Sequence, residues 1–254
     1  MQHNIGRQNG LPRCYCLIDM RNILIQLLVL HSLALVLPPA PVTQASERRI
    51  YAADAPASLR AIGRLTVPGH DRVDGRRRQR DEHCSATLVS ARLVLTAWHC
   101  MSHYEDLSRD PVFILPLSPR PERVPARLAA SGGGMHADWA LLRLARPLTG
   151  VAPLLVSQPT ALQATPVMIA GYARDDGLGA GGTRLTWQDA CGVLAADSGQ
   201  FSTDCVTFQG ASGGPVLAGG NVVGVISRGD SETRTYFVPG RAFFSAVRAL
   251  RADD

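Results

Sequence analysis

From about residue 50, short apolar segments alternate along the chain with clusters of Gly, Pro, Asp and Ser. The segments are short and rich in β-branched residues, and turn residues follow closely, so the pattern predicts strands rather than helices. Many short strands must close off their edges, and a barrel does so. The predicted strands are Thr87–Val89, Leu93–Thr96, Trp139–Leu144, Pro166–Ala170, Val222–Ile226 and Thr235–Val238.

Two local patterns complete the predicted architecture. Pro215–Leu217 and Val222–Ile226 flank the Gly-rich segment Ala218–Asn221, which predicts a hairpin. Near the C-terminus, Arg241–Arg251 carries apolar residues at helical spacing, so one face of a helix would dock on the body: Phe244, Val247 and Leu250. The predicted fold class is all-β with a C-terminal helix.

The first 45 residues have the pattern of an export signal. Ile23–Leu37 is an apolar run that is short for a membrane span, and Arg21 precedes it. Thr43 and Ala45 are small residues at the positions that signal peptidase recognises. They predict cleavage after Ala45 and a secreted or periplasmic protein. An uncleaved anchor helix is the alternative. Met20 would begin a conventional signal peptide, so residues 1–19 follow either a mis-assigned start codon or a long leader.

Four cysteines remain after the predicted cleavage: Cys84, Cys100, Cys191 and Cys205. In an exported protein they suggest two disulfides with three possible connectivities. Local pairing, Cys84–Cys100 and Cys191–Cys205, is predicted, and each bond would close a loop of about 15 residues, worth about 3 kcal/mol. A zinc site is the competing interpretation, but the sequence has no C-x-x-C pair. No metal and no cofactor are predicted.

Composition and charge argue against a disordered chain and against a nucleic-acid-binding protein. Apolar residues make up 46% of 254 residues, enough to bury a core. The formal net charge is +5, and all 26 basic residues are arginine. The densest basic run, Arg76–Arg80, has acidic neighbours and no interleaved aromatic residue, which favours a solvated loop over a nucleic-acid patch. No nucleic-acid partner is predicted.

Three segments carry candidate chemistry. His99 follows a predicted strand beside a cysteine, Asp138 precedes another strand, and Ser212 lies in Gly210–Pro215. A hydroxyl nucleophile needs a base within hydrogen-bond reach and a third group that orients the base. Backbone N–H groups stabilise the developing oxyanion, and those of Gly210 and Ser212 are the candidates.

The order of these residues separates two mechanism classes. A serine between glycines also occurs in α/β-hydrolases, whose histidine follows the serine. No histidine follows Ser212 here, so that class is excluded. The order His99, Asp138, Ser212 is that of chymotrypsin.

These segments resemble those of chymotrypsin-fold serine proteases: T-A-W-H-C, D-W-A-L-L and G-A-S-G-G-P, over roughly residues 50–250. Ala61–Leu65 ahead of Cys84–Val89 further resembles the secreted bacterial branch that includes glutamyl endopeptidases. The resemblance implies two six-stranded antiparallel β-barrels with the active site between them. The N-terminal barrel, 46–150, would carry His99 and Asp138. The C-terminal barrel with the helix, 151–254, would carry Ser212.

The resemblance also implies residue roles. His99 would act as general base and then acid, while Asp138 would orient its imidazole. The backbone of Ser227 and Gly229 would pair with the substrate as an added strand. Val206 and Thr207 would form the primary specificity pocket, where the absence of a carboxylate predicts a preference for a small or medium apolar residue.

Ala211 departs from trypsin-type enzymes, which have a carboxylate before the nucleophile to capture a new N-terminus. We therefore expect no activation switch at Arg49–Ile50, and any propeptide removal would only unblock the cleft. The predicted function is a secreted, monomeric serine endopeptidase of protein or peptide substrates, free of the membrane after signal cleavage. The alternatives are a catalytically silent homologue that acts as a binding module and a stress protease, for which no residues remain to form a peptide-binding domain.

Overall fold

The computed structural model describes residues 46–102, 104, 108–117, 121–195 and 200–252. The predicted signal peptide, its apolar run and the start-codon question lie outside the described residues. Within them, no helix has the length and apolar character needed to cross a membrane.

Short antiparallel strands make up the body, and one α-helix ends it. The helix, α1, spans Phe244–Arg251 and follows a single 3-10 turn, Gly240–Ala242. In chain order, the strands are β1 (Arg49–Ile50), β2 (Ile62–Val67), β3 (His70–Val73), β4 (Arg76–Gln79), β5 (Glu82–Leu88), β6 (Leu93–Thr96), β7 (Val112–Leu115), β8 (Glu122–Ser131), β9 (Ala140–Leu144), β10 (Val167–Gly171), β11 (Thr186–Cys191), β12 (Val193–Ala195), β13 (Phe201–Thr203), β14 (Pro215–Ala218), β15 (Asn221–Gly229) and β16 (Thr235–Pro239).

The first half closes into a six-stranded barrel in the order β2-β5-β6-β9-β8-β7. Its interior is filled by fully buried side chains, among them Leu65, Leu95, Phe113 and Leu141. A closed barrel leaves no unpaired edge, so each of these six strands has a neighbour on both sides. The first of the two expected six-stranded barrels is therefore present.

The second half is an open sheet of eight strands in the order β1-β11-β10-β14-β15-β16-β13-β12. The sequence predicts a second closed six-stranded barrel, and the structure does not show one in this half. One edge is extended by β1, where Arg49 lies opposite Trp187 and Ile50 opposite Thr186. The N-terminal segment was expected to belong to the first barrel, yet its backbone pairs with the second sheet.

All the predicted strands exist, with bounds that differ by a few residues at most of their ends. The predicted hairpin is β14–β15, turned by Gly219 and Gly220 at φ +55° and +80°. The basic run was wrongly interpreted as a loop. Arg76–Gln79 forms β4, an exposed strand that pairs with β3 across Asp74 and Gly75, both in the left-handed region. The run is nevertheless solvated, as predicted.

Candidate active site

His99 is held at the mouth of the first barrel by the end of a strand and a disulfide. After β6 ends at Thr96, a 3-10 turn spans Trp98–Cys100. Cys100 is bonded to Cys84 in β5, and Cys191 is bonded to Cys205, which is the local pairing that the sequence predicts. Both sulfurs of the first bond are thus unavailable as metal ligands beside His99. A strand end tied by a cystine fixes the imidazole in place.

Asp138 precedes β9 and is fully buried. Its Oδ1 accepts the backbone N–H of His99 at 2.8 Å, and its Oδ2 lies 2.8 Å from Nδ1 of the same residue. The hydroxyl of Ser227 also donates to Oδ2, at 2.5 Å. Burial alone would raise the pKa of Asp138, but these hydrogen bonds and the nearby imidazole hold the pKa below its usual range. The carboxylate is therefore ionised and orients His99.

Ser212 lies on a tight loop between Gly210 at φ +92° and Gly213 at φ +82°. A Cβ at Gly213 would overlap the carbonyl of Ser85 and the hydroxyl of Thr96, so only glycine fits where the loop meets the first barrel. The backbone N–H of Ser85 donates to the Ser212 carbonyl at 2.8 Å. The serine is thus anchored by both halves of the protein.

The Ser212 hydroxyl donates to the Ser227 carbonyl at 3.2 Å. No hydrogen bond joins it directly to His99 among the described residues. Ser227 instead links the three predicted residues, because its carbonyl accepts from Ser212 and its hydroxyl donates to Asp138, which contacts His99. Hydrogen bonds at active sites are often long or misaligned before substrate binds.

The N–H groups of Gly210 and Ser212 have no acceptor among the described hydrogen bonds. The Gln209 carbonyl accepts the N–H of Arg174 at 2.6 Å. Because the C=O and N–H of a trans peptide point in opposite directions, this bond turns the Gly210 N–H away from Arg174. The two donors are free to face a developing oxyanion.

The other predicted residues lie on or near the end of β15. Gly229 packs so closely on Thr207 that a Cβ would come within 2.6 Å of the Thr207 carbonyl. Val206 donates its N–H to the side chain of Gln188 at 3.0 Å, and Thr207 is buried. Val206, Thr207 and Gly229 therefore form one region next to Ser227.

Two structural supports were not found from the sequence. Ser85 is fully buried, and its hydroxyl accepts the N–H of Tyr172 at 2.8 Å while it donates to the Gly210 carbonyl at 2.9 Å. The second is a largely buried ion pair, in which Arg48 lies 2.6 Å from Asp175. Neither belongs to a short motif. The serine after Cys84, on the strand facing the nucleophile, was the one available signal.

Comparison with known proteins supports an all-β fold of the chymotrypsin type. No curated protein matches the chain by sequence. Among solved structures, the thermostable serine protease AL20 from an extremophilic microorganism superposes with a TM-score of 0.59 at 18% identity, over 78% of this chain and 100% of that one. The scabies mite inactivated protease paralogue S-D1 gives 0.60 at 16% identity, over 77% and 94%. GrC gives 0.60 at 18% identity, over 77% and 96%.

These likenesses show a chymotrypsin-like fold, and one of the neighbours is an inactivated paralogue. The sequence itself matches the family of the trypsin-like peptidase domain over residues 84–225, more than half of the chain. That match covers the segments around His99, Asp138 and Ser212. The chain therefore belongs to the trypsin-like peptidase domain family.

Proposed function

We propose that the protein is an active serine endopeptidase with His99, Asp138 and Ser212 as its catalytic residues. The observation that carries this proposal is the continuous hydrogen-bonded connection from Ser212 through Ser227 and Asp138 to His99, next to two unengaged N–H groups. Cys100, next to His99, also brings the histidine turn close to the nucleophile loop, since its Sγ lies 4.0 Å from the Ser212 carbonyl oxygen. The family supports protein or peptide substrates.

The proposed reaction has two balanced halves. The Ser212 hydroxyl leaves the Ser227 carbonyl, attacks the substrate carbonyl carbon and passes its proton to Nε2 of His99. The N–H groups of Gly210 and Ser212 stabilise the oxyanion. His99 then gives the proton to the departing amine, which leaves an acyl-enzyme. Water repeats the sequence and releases the acid and free Ser212, with Asp138 ionised throughout.

Substrate would bind as an added strand. The backbone of Ser227 and Gly229 at the end of β15 pairs with the residues before the scissile bond. The side chain of the residue at that bond enters the region of Val206 and Thr207. Neither carries a charge, so we propose a small or medium apolar residue there. A cleavage profile dominated by Glu or Arg would contradict this part.

Labelling with a fluorophosphonate tests the proposal. The chain from Ser46 onwards should react in stoichiometric amount, and Ser212→Ala should not. Ser245→Ala, which removes an exposed hydroxyl from α1, is the matched control and should label fully. Failure of the folded wild type to react, with no cleavage of a denatured protein, would favour the silent binding module. A large oligomer with chaperone activity on size exclusion would favour a stress protease over the proposed monomer.

We further propose export, with a mature chain that begins at Ser46. The two disulfides are compatible with an oxidising compartment. Resemblance to glutamyl endopeptidases extends this proposal to a secreted bacterial enzyme. N-terminal sequencing of the chain recovered outside the cytoplasm tests it, because an uncleaved anchor would leave the residues before Ser46 attached.

A further inference from the structure

A cleft of about 380 Å³ opens on one side of the Ser212 loop. The first barrel contributes Cys84 to its wall, and the second half contributes Tyr172 and Arg174. Both walls lie next to residues of the proposed reaction. Ser85, next to Cys84, bonds the Ser212 carbonyl, and the Arg174 N–H bonds the carbonyl next to Gly210. The cleft therefore begins where the proposed oxyanion site ends.

The cleft lies apart from the proposed specificity region. None of Val206, Thr207, Ser227 and Gly229 lines it. If residues before the scissile bond pair with the end of β15, the chain after that bond must continue on the other side of Ser212. The cleft on that side is the available path for the part of the substrate that departs as the amine.

Positive charge dominates the lining of this cleft. Three arginines contribute to it, and we call it the arginine cleft: Arg64, Arg123 and Arg174. None of the three forms an ion pair within the described parts of the chain. The one lining carboxylate, Asp81, is already engaged by Arg109 at 3.0 Å. His83 also lines the cleft and adds no negative charge.

Arg64 is the partly buried member of the three, and its guanidinium lies 6.0 Å from the ring centroid of Tyr172. Its Nε is buried and has no hydrogen-bond partner among the described residues. A buried donor without an acceptor is costly, and a planar guanidinium matches a carboxylate in two-point geometry. Arg123 and Arg174 are exposed at the same cleft and can complete the charge match.

We propose that the arginine cleft binds an acidic side chain within the first residues after the scissile bond. This inference rests on the proposed peptidase function and adds the substrate class on the leaving-group side. The enzyme would therefore select for Asp or Glu beyond the cleaved bond, independently of the apolar residue before it.

Quenched fluorogenic peptides test the inference. A cleaved sequence from a peptide-library profile is remade with Glu, Gln or Lys at the first or second residue after the bond. We expect kcat/KM for Glu to exceed that for Lys by about tenfold, with Gln between them. About 1 M salt should reduce the ratio, since the Debye length falls to about 3 Å.

The arginines are tested by the same Glu-to-Lys ratio, which does not depend on the fraction of active enzyme. R123Q combined with R174Q should bring the ratio below about twofold. R241Q combined with R248Q removes the same two positive charges from exposed arginines outside the cleft, and should retain the full ratio and normal fluorophosphonate labelling.

The outcomes separate this inference from the proposed function. A wild type that does not label with fluorophosphonate overturns both. A wild type that labels and cleaves but shows no preference for Glu overturns only the arginine cleft. A preference that persists in R123Q/R174Q, or that is lost equally in R241Q/R248Q, also overturns the assignment to these arginines.

Discussion

Ser227 donates its hydroxyl to Oδ2 of Asp138 at 2.5 Å, the same oxygen that lies 2.8 Å from Nδ1 of His99. One carboxylate oxygen therefore serves two donors, and the second oxygen accepts the His99 backbone N–H. The same Ser227 accepts the Ser212 hydroxyl through its carbonyl. The residue thus couples the orienting acid to the proposed nucleophile without being the base.

Removing the Ser227 hydroxyl should weaken catalysis more than binding. We expect Ser227→Ala to lower kcat about tenfold with KM little changed, because a charge-assisted hydrogen bond contributes about 1.5–3 kcal/mol and the substrate-pairing backbone remains. Ser202→Ala is the control, since its buried hydroxyl has no partner within the described structure. Steady-state kinetics on a peptide substrate measures both. Equal losses in the two variants would contradict a positioning role.

Acid should remove the contribution of Asp138 to stability. Its folded pKa is lowered, so the carboxylate stabilises the fold above its unfolded pKa of about 3.9. That stabilisation falls as the pH drops below about 4 towards the lowered folded value. Chemical denaturation of wild type and Asp138→Asn at pH 7 and across the acid range tests this. The difference in free energy of unfolding should shrink towards low pH, and a constant difference would contradict it.

Activity should respond to the same substitution for a separate reason. Asp138→Asn can no longer hold the imidazole tautomer that accepts a proton at Nε2. We expect kcat to fall by about 10⁴-fold, as in the Ser-His-Asp template. Stability at neutral pH and kcat therefore report two different consequences of one carboxylate.

Ser85 should act as a positioning residue for the oxyanion site. Ser85→Ala leaves the Gly210 carbonyl and the Tyr172 N–H without their buried partner, which costs about 1–3 kcal/mol. If the Gly210 peptide then tilts, kcat should fall by about tenfold and affinity for a peptide boronate should fall in parallel. Affinity for a noncovalent peptide product should stay unchanged.

Ser90→Ala is the matched control for Ser85→Ala. Ser90 is also buried in the first barrel, and its hydroxyl accepts the N–H of Leu93 at 2.9 Å, but it bonds no residue of the Ser212 loop in the described structure. It should lose stability without losing boronate affinity. If Ser85→Ala behaves in the same way, the hydroxyl of Ser85 is only structural.

Local patterns predict the strands because short β-branched apolar segments and the turn residues between them are encoded within a few positions. The disulfide Cys84–Cys100 was predictable for the same reason, since it closes a short loop. The contacts of Ser85 with Tyr172 and Gly210 were not, because they join positions 87 and 125 residues apart. Pairing of β1 with the second sheet depends on a similarly distant strand, and no local pattern specifies it.

Arg48 and Arg49 are neighbours in sequence with very different surroundings. The Arg48–Asp175 pair is 13% exposed on both sides, whereas the Arg49–Asp189 pair is 47% and 38% exposed. Arg48 also lies 4.5 Å from the ring centroid of Phe208, two residues before Gly210. Burial tends to raise the pKa of Asp175, but Arg48 and the Gly179 N–H hold it below its usual range.

This contrast predicts effects of different size for two matched substitutions. Arg48→Gln leaves a largely buried carboxylate without its cation and should lower the free energy of unfolding by about 1–3 kcal/mol. Arg49→Gln breaks an exposed pair and should change it by less than about 1 kcal/mol. Chemical denaturation measures both changes. Similar values for the two variants would show that the buried Arg48–Asp175 pair contributes no more to the free energy of unfolding than the exposed pair does.

The ion pair between Arg48 and Asp175 also bears on how the proposed active site becomes ordered. Ala211 offers no carboxylate to a new N-terminus, and Ile50 lies inside β1, paired with Thr186. Arg48 instead connects the N-terminal segment to Asp175 and Phe208, close to the oxyanion loop. We therefore expect a chain that begins at Ser46 to react with fluorophosphonate faster than one that begins at Ile50, because the shorter chain lacks Arg48. Arg48→Gln in the longer chain should reproduce the loss, and Arg49→Gln should not. Faster labelling of the chain that begins at Ile50 would instead reveal a trypsin-type switch.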